Sequence, residues 1–95
     1  MSKITQSARG EECQIRLPGV CNGDPATTVW AHANGSAAGK GIGMKSPDLL
    51  GAYACSSCHD EIDRRTRKME RDYVKLAFCE GHFRSLRKLI EKGLV

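Results

Sequence analysis

The chain has 95 residues and a mass of 10.4 kDa, which gives room for one domain and excludes a multi-domain enzyme or a large barrel. Hydrophobic residues make up 40% and only Trp30, Tyr53, Tyr73, Phe78 and Phe83 are aromatic, so the apolar core is small. A chain of this size buries about 60 to 65% of its unfolded surface, and a staple beyond packing is expected. The net charge of +4 is unevenly placed, with ten of the fifteen Lys and Arg residues between positions 64 and 92. The block from Arg64 to Lys68 contains no anion and reads as a nucleic-acid footprint or as a solvated face.

Taken in chain order, residues 1–10 are polar and read as loose or only partly helical. They lack the apolar stretch of a signal peptide, and no later run approaches the roughly 18 apolar residues of a membrane span. The expectation is a cytosolic protein without a membrane partner. Cys13-Gln-Ile-Arg-Leu17 alternates apolar and polar residues and predicts a short strand, followed by turns at Pro18-Gly19 and at Asn22-Gly-Asp-Pro25. Residues 27–32 predict a second strand that ends near His32. Gly35, Gly39, Gly41 and Gly43 mark a wide loop, and Leu49 to Ala54 pairs back as the other arm of a hairpin.

A short helix is expected next, capped by Ser56 or Ser57 and running to about Arg67, with Asp60/Arg64 and Glu61/Arg65 as supporting pairs. A longer helix follows over 70–93. Its stripe of Tyr73, Leu76, Ala77, Phe83, Leu86 and Ile90 reads as the core face, with Gly81 a point of weakness.

Five cysteines that include a Cys55-Ser-Ser-Cys58 pair, in a reducing compartment, point to metal binding rather than to disulfides. Two thiolates at that spacing can share one tetrahedral zinc at about 2.3 Å, and Cys13 with Cys21 can supply the other two once the intervening turn folds back. Cys79-Glu-Gly-His82 is a competing second pair, and a redox CxxC lacks the surrounding βαβ pattern. A structural zinc contributes on the order of 10 kcal/mol, enough to hold a domain this small. On the expected helix, His59 and Asp63 share a face offset from Cys58 and can offer N and O ligands to a second metal. His32, at the end of its strand, can act as a neutral base toward water. The segment from Gly35 to Lys40 fails as a P-loop, because three residues rather than four separate its glycines and Gly41 follows the lysine.

The order Cys13, Cys21, Ala31-His32, Asp48, Cys55-Ser-Ser-Cys58-His59 resembles the HNH endonucleases, the cysteine-bearing branch of the ββα-metal (His-Me) finger nucleases. More closely, the stretch from Arg9 to Gly23, with Ala31-His32 and the stretch from Ala54 to Arg65, is similar to the YbcO-like candidate nucleases of phages and prophages. The resemblance covers residues 8 to 73. It implies an α+β fold: a zinc-bound ββα finger over 11–68, with a helix at 70–93, in a single domain of residues 1–95.

By the same resemblance, His32 matches the general base and His59 the metal-ligand histidine, and Asp63 falls where some members have a second ligand. The position before the base, acidic or histidine in many members, is Ala31 here. The middle asparagine that orients the base has Asp48 as its nearest counterpart, two residues further from Cys55 than the pattern places it. The implied protein is a phage-type DNA endonuclease in the cytoplasm of a bacterial host, with Cys13, Cys21, Cys55 and Cys58 on structural zinc and a catalytic Mg²⁺ or Mn²⁺. Backbone contacts are expected from Lys40, Lys45, Arg64, Arg65, Arg67, Lys68 and Arg71, and a homodimer would suit cleavage of both strands. The alternatives are a zinc-stapled nucleic-acid binder whose catalytic site has degraded, and a protein-interaction or redox module.

Overall fold

A computed structural model describes residues 3–34 and 47–95. The element order is α1 (Lys3–Gln6), a 3-10 turn (Pro25–Thr27), β1 (Val29–His32), β2 (Gly51–Ala54), α2 (Ser56–Ile62) and α3 (Arg71–Glu91). This is a small α+β fold around one two-stranded antiparallel sheet, in which Trp30 stands opposite Tyr53 and His32 opposite Gly51. Side chains alternate across a strand, so Trp30 and Tyr53 share one face while Ala31, Ala52 and Ala54 share the other. Each face carries its own core. On the alanine face, Cys13, Ile15, Leu17, Cys55, Cys58 and Val74 pack together, and on the aromatic face Trp30 and Tyr53 pack with Ala8 and Leu89. The two aromatic rings meet edge to face at 5.1 Å.

Residues 13–17, expected as a strand, form none. Their side chains are buried except Arg16, which takes a left-handed φ of 56° and breaks any extended run. The segment covers the outer edge of β2 instead: the Gln14 amide donates to the Tyr53 carbonyl at 2.8 Å. The same edge is met by α3, where Ser85 Oγ accepts from the Tyr53 amide at 3.0 Å and His82 Nδ1 lies 2.6 Å from the Gly51 carbonyl. A carbonyl only accepts, so His82 carries its proton on Nδ1. One backbone amide and two side chains thus complete a strand edge that would otherwise leave buried polar groups unpaired.

The hairpin strands begin two residues later than expected, at Val29 and Gly51, because Asp24 caps the turn that Pro25 opens and draws Thr27 into it. α2 is capped by Cys55, whose sulfur accepts from the Cys58 amide, rather than by Ser56 or Ser57. It stops at Ile62, well short of Arg67, and Arg64 follows with φ 60°. The early stop changes the ion pairs, since Arg64 turns back to Glu61 and Arg65 to Asp60 and Asp63.

α3 runs unbroken through Gly81, but its core face is not the expected stripe. Val74, Gly81, Ser85 and Leu89 are buried, whereas Tyr73, Leu76, Phe83 and Ile90 are 45 to 66% exposed. Gly81 explains the choice. A Cβ there would lie 2.5 Å from Ile15 Cδ1 and 3.0 Å from the Gln14 carbonyl, so a larger residue would require the Ile15 side chain to move and the 13–17 segment to give way by a few tenths of an ångström. Arg84 secures the same approach by donating through Nε to the Gln14 carbonyl at 3.0 Å. The N-terminal residues are tied in as well: Ala8 is buried, Ser7 Oγ lies 2.7 Å from the Tyr53 hydroxyl, and Glu11 pairs with Lys88 and Lys92 of α3.

Candidate functional site

Four cysteines converge from two parts of the chain. Cys13 and Cys21 flank a turn in which the Val20 and Cys21 amides both donate to the Leu17 carbonyl, with Gly19 at φ 72° supplying the reversal. Cys55 and Cys58 sit at the end of β2 and in the first turn of α2. All four sulfurs lie within 4.8 Å of one another, none is in a disulfide, and the Cys21 and Cys55 sulfurs are 3.8 Å apart. Four zinc–sulfur bonds of about 2.3 Å at tetrahedral angles require sulfurs about 3.8 Å apart, so the donor set fits that ion.

The electrostatics agree with the geometry. The Cys13 thiol is drawn down to about 4, chiefly by a hydrogen bond from Cys58, while the same contact followed by burial pushes Cys58 up. Cys21 is raised, first by burial. Crowded thiols resist joint ionisation, and a divalent cation reverses that by favouring the thiolates. The four cysteines can therefore hold a metal ion. Cys79 is exposed on α3 and His82 is engaged with the strand edge, so the competing pair is not brought to this centre.

Two histidine–carboxylate pairs flank the cluster. At the end of β1, His32 Nε2 lies 3.0 Å from Asp48 Oδ1, with both side chains partly exposed. Residue 48 is positioned by Trp30, whose indole N–H donates to the Asp48 carbonyl at 2.7 Å. Gly51 makes that possible, since a Cβ at this position would lie 2.5 Å from Trp30 Nε1.

The second pair is on α2, where His59 Nε2 lies 3.1 Å from Asp63 Oδ2. The other Asp63 oxygen accepts from Asn34 Nδ2 at 2.9 Å, which ties the segment just past His32 to the end of α2. Among the described residues, the four cysteines are the only gathered group of three or more metal-ligating side chains; His32, Asp48, His59 and Asp63 stand as two pairs. Ala31 contributes no donor, its methyl being fully buried in the alanine-face core.

The basic segment after α2 is built on Glu61. This carboxylate is fully buried and accepts from Thr66 Oγ1 at 2.7 Å and from the amides of Met69 and Lys68 at 3.0 and 3.2 Å. The Thr66 hydrogen bond leads the causes that hold its pKa below the ordinary carboxylate value, against an opposing contribution from burial. Arg64 Nη1 reaches Glu61 and the Met69 carbonyl, so its head group faces inward. Arg67, Lys68 and Arg71 are exposed, and Arg65 is exposed although paired with Asp60 and Asp63. Lys40 and Lys45 lie outside the described residues.

Sequence reasoning took Glu61 only as a helix partner of Arg65 and passed over Asn34, Gln14 and Trp30's role toward Asp48. A lone Glu three residues after a CxxC carries no pattern of its own. Its role depends on residues 66–69 folding back over the end of α2 to present the Thr66 hydroxyl and the Lys68 and Met69 amides, which no local pattern announces.

A two-stranded sheet, a helix following its second strand and a four-cysteine centre at that junction define a small cysteine-centred ββα protein with a further helix packed along the sheet edge. The chain belongs to the YbcO family: the family model described as "Putative nuclease YbcO" matches residues 2–94. It is 45% identical over 95 residues to "Putative nuclease YbcO" of Escherichia coli (strain K12), covering 100% of this chain and 98% of that protein. The same figures hold for "Putative nuclease ybcO" of Enterobacteria phage 82. A solved structure described as that of a putative bacteriophage protein from Escherichia coli K-12 superposes with a TM-score of 0.81 at 45% identity, covering 94% of this chain and 98% of that one.

Proposed function

We propose that the chain is an HNH-type, metal-dependent endonuclease that hydrolyses phosphodiester bonds in DNA, with zinc on Cys13, Cys21, Cys55 and Cys58 as its structural staple. The observation that carries this reading is the pairing of His32 with Asp48 at the strand end, beside a second pair, His59 and Asp63, on α2. Family membership supports it, since the family and its relatives carry the description "Putative nuclease".

In the neutral imidazole one nitrogen donates and the other accepts. A proton on His32 Nε2, directed at the Asp48 carboxylate, leaves the Nδ1 lone pair to take a proton from the attacking water. Asp48 fixes that tautomer and stabilises the imidazolium once it forms. His59 and Asp63 would hold Mg²⁺ or Mn²⁺, which when bound stabilises charge on the scissile phosphate and the leaving 3′ oxygen. With Ala31 giving no third protein ligand, the site stays open on the substrate side. Arg65, Arg67, Lys68 and Arg71, with Lys40 and Lys45, would hold the phosphate backbone without reading bases. The setting is the cytoplasm of a bacterial host, and the active form is a homodimer.

The test is cleavage of supercoiled plasmid with Mg²⁺ or Mn²⁺ by the wild type, His32→Ala and His59→Ala, purified identically and matched in zinc content. Both variants are expected to fall by at least about 100-fold. Equal cutting by all three would defeat the assignment of the base. The buried Ala31 methyl favours one second reading, a zinc-stapled DNA binder, which requires salt-dependent DNA affinity with no cutting by the wild type.

A further inference from the structure

The residues of α3 that turn away from the core form a pattern of their own. Leu76, Phe83 and Ile90 recur every seven residues and are 61, 66 and 59% exposed. Seven residues are close to two helical turns, so the three lie in one row, roughly opposite the buried Gly81 and Ser85. Tyr73, Glu80 and Arg87 also recur every seven residues, interleave with that row, and are exposed as well. The helix is 21 residues long, about 30 Å, and this apolar stripe runs most of its length. Below Tyr73 and Leu76 the stripe continues into an open groove of about 190 Å³ whose floor includes Ile15 and Pro18.

The charges on the stripe say what covers it. Among the described residues neither Glu80 nor Arg87 has an ion-pair partner within the chain. Glu80 lies three residues before Phe83 and Arg87 four residues after it, while Leu76 and Ile90 lie seven residues to either side. A two-fold axis at Phe83 therefore brings Leu76 of one copy opposite Ile90 of the other and sets each Glu80 beside the other copy's Arg87. A parallel pairing instead puts the Glu80 and Arg87 flanks of the two copies on opposite sides of the contact, where neither charge meets its complement. The face is self-complementary in the antiparallel orientation alone, as an isologous contact demands.

We infer that a second copy of this chain docks on α3, helix against antiparallel helix, about a two-fold axis at Phe83. His32 and His59 belong to β1 and α2 and none of the stripe residues is a candidate catalytic or metal-ligating group. This surface stands whether or not the nuclease reading does, since mass is measured without DNA.

The experiment is sedimentation velocity on the zinc-loaded full chain from about 1 to 100 µM, where mass action makes a dimer appear with concentration. The wild type is expected to approach the mass of two chains. Phe83→Asp should stay at one chain throughout. Glu80→Arg and Arg87→Glu should each raise the dissociation constant about tenfold or more, and the double exchange should bring it back to within a few-fold of wild type. All these side chains are exposed, and circular dichroism with zinc content checks that each variant is folded. A wild type that remains one chain at 100 µM overturns the inference. So does an association that Phe83→Asp leaves intact, or a double exchange no better than either single one. A dimer that fails to cut DNA removes the nuclease reading alone.

Discussion

The two faces of the small sheet are held by different physics. On one side Ile15, Leu17, Val74 and three alanines pack around four gathered cysteines, so that apolar cluster is built about sulfurs able to hold a metal ion. On the other, Trp30, Tyr53, Leu89 and Ala8 make a conventional core, tightened by the Ser7 and Ser85 hydrogen bonds. The contrast teaches where each residue type is irreplaceable. Alanines opposite one another allow α2 to sit close enough for Cys58 to reach Cys13, whereas the aromatic face keeps the chain ends on α3. Removing metal should therefore undo one face first, and removing packing the other.

The largest expected effect is loss of the metal. A strong chelator, or Cys58→Ala, removes binding energy of about 10 kcal/mol or more and should unfold the hairpin and α2 together, read as loss of far-ultraviolet ellipticity and of one zinc per chain. An unchanged melting curve after complete metal removal would break the comparison outright. Next comes Leu89→Ala on the aromatic face, expected to cost about 2 to 5 kcal/mol in denaturant unfolding while zinc stoichiometry stays at wild-type level.

Gly81→Ala sharpens the comparison by sign. Helix propensity alone would stabilise by about 1 kcal/mol, but contact with Ile15 and the Gln14 carbonyl should outweigh it and give a net loss of about 1 to 3 kcal/mol. A gain in melting temperature would show that α3 is free to back away. The smallest effect concerns pH. Glu61 and Glu11 have folded-state pKa values below their ordinary ones, Glu61 chiefly through Thr66 and Glu11 chiefly through Lys92. Their contributions are complete above the unfolded value, about 4.5, and are lost as pH falls through the lowered folded values. Stability measured below about pH 5 should fall less steeply in Glu61→Gln than in wild type, from a lower starting point at neutral pH.

The centre was far more legible in the sequence than the packing around it. Cysteine spacing is a local chemical signal, and it brought Cys13, Cys21, Cys55 and Cys58 together across 45 residues of chain. The hairpin, the start of α2 after the cysteine pair and the limits of α3 were legible from turn residues and periodicity, whereas α2 ends at Ile62 rather than near Arg67. The face of α3 was misread because periodicity counts apolar residues, and this helix packs on a strand edge through Gly81 and Ser85, chosen for closeness and hydrogen bonding. The strand expected at 13–17 failed because alternation says nothing about a partner, and Arg16 turns the backbone aside. His32 and Asp48 were both singled out, yet the contact between them depends on Trp30 reaching the Asp48 carbonyl, which no spacing rule contains.

Glu61 has a consequence for how a polyanion is met. By tying Thr66, Lys68 and Met69 to one buried carboxylate, it fixes the backbone beneath Arg67 and Lys68 before any ligand arrives. The entropy of ordering that segment is lost during folding and not on association, so each phosphate contact made there keeps more of its intrinsic strength. The anion at the base of the loop thus works in favour of binding other anions at its rim.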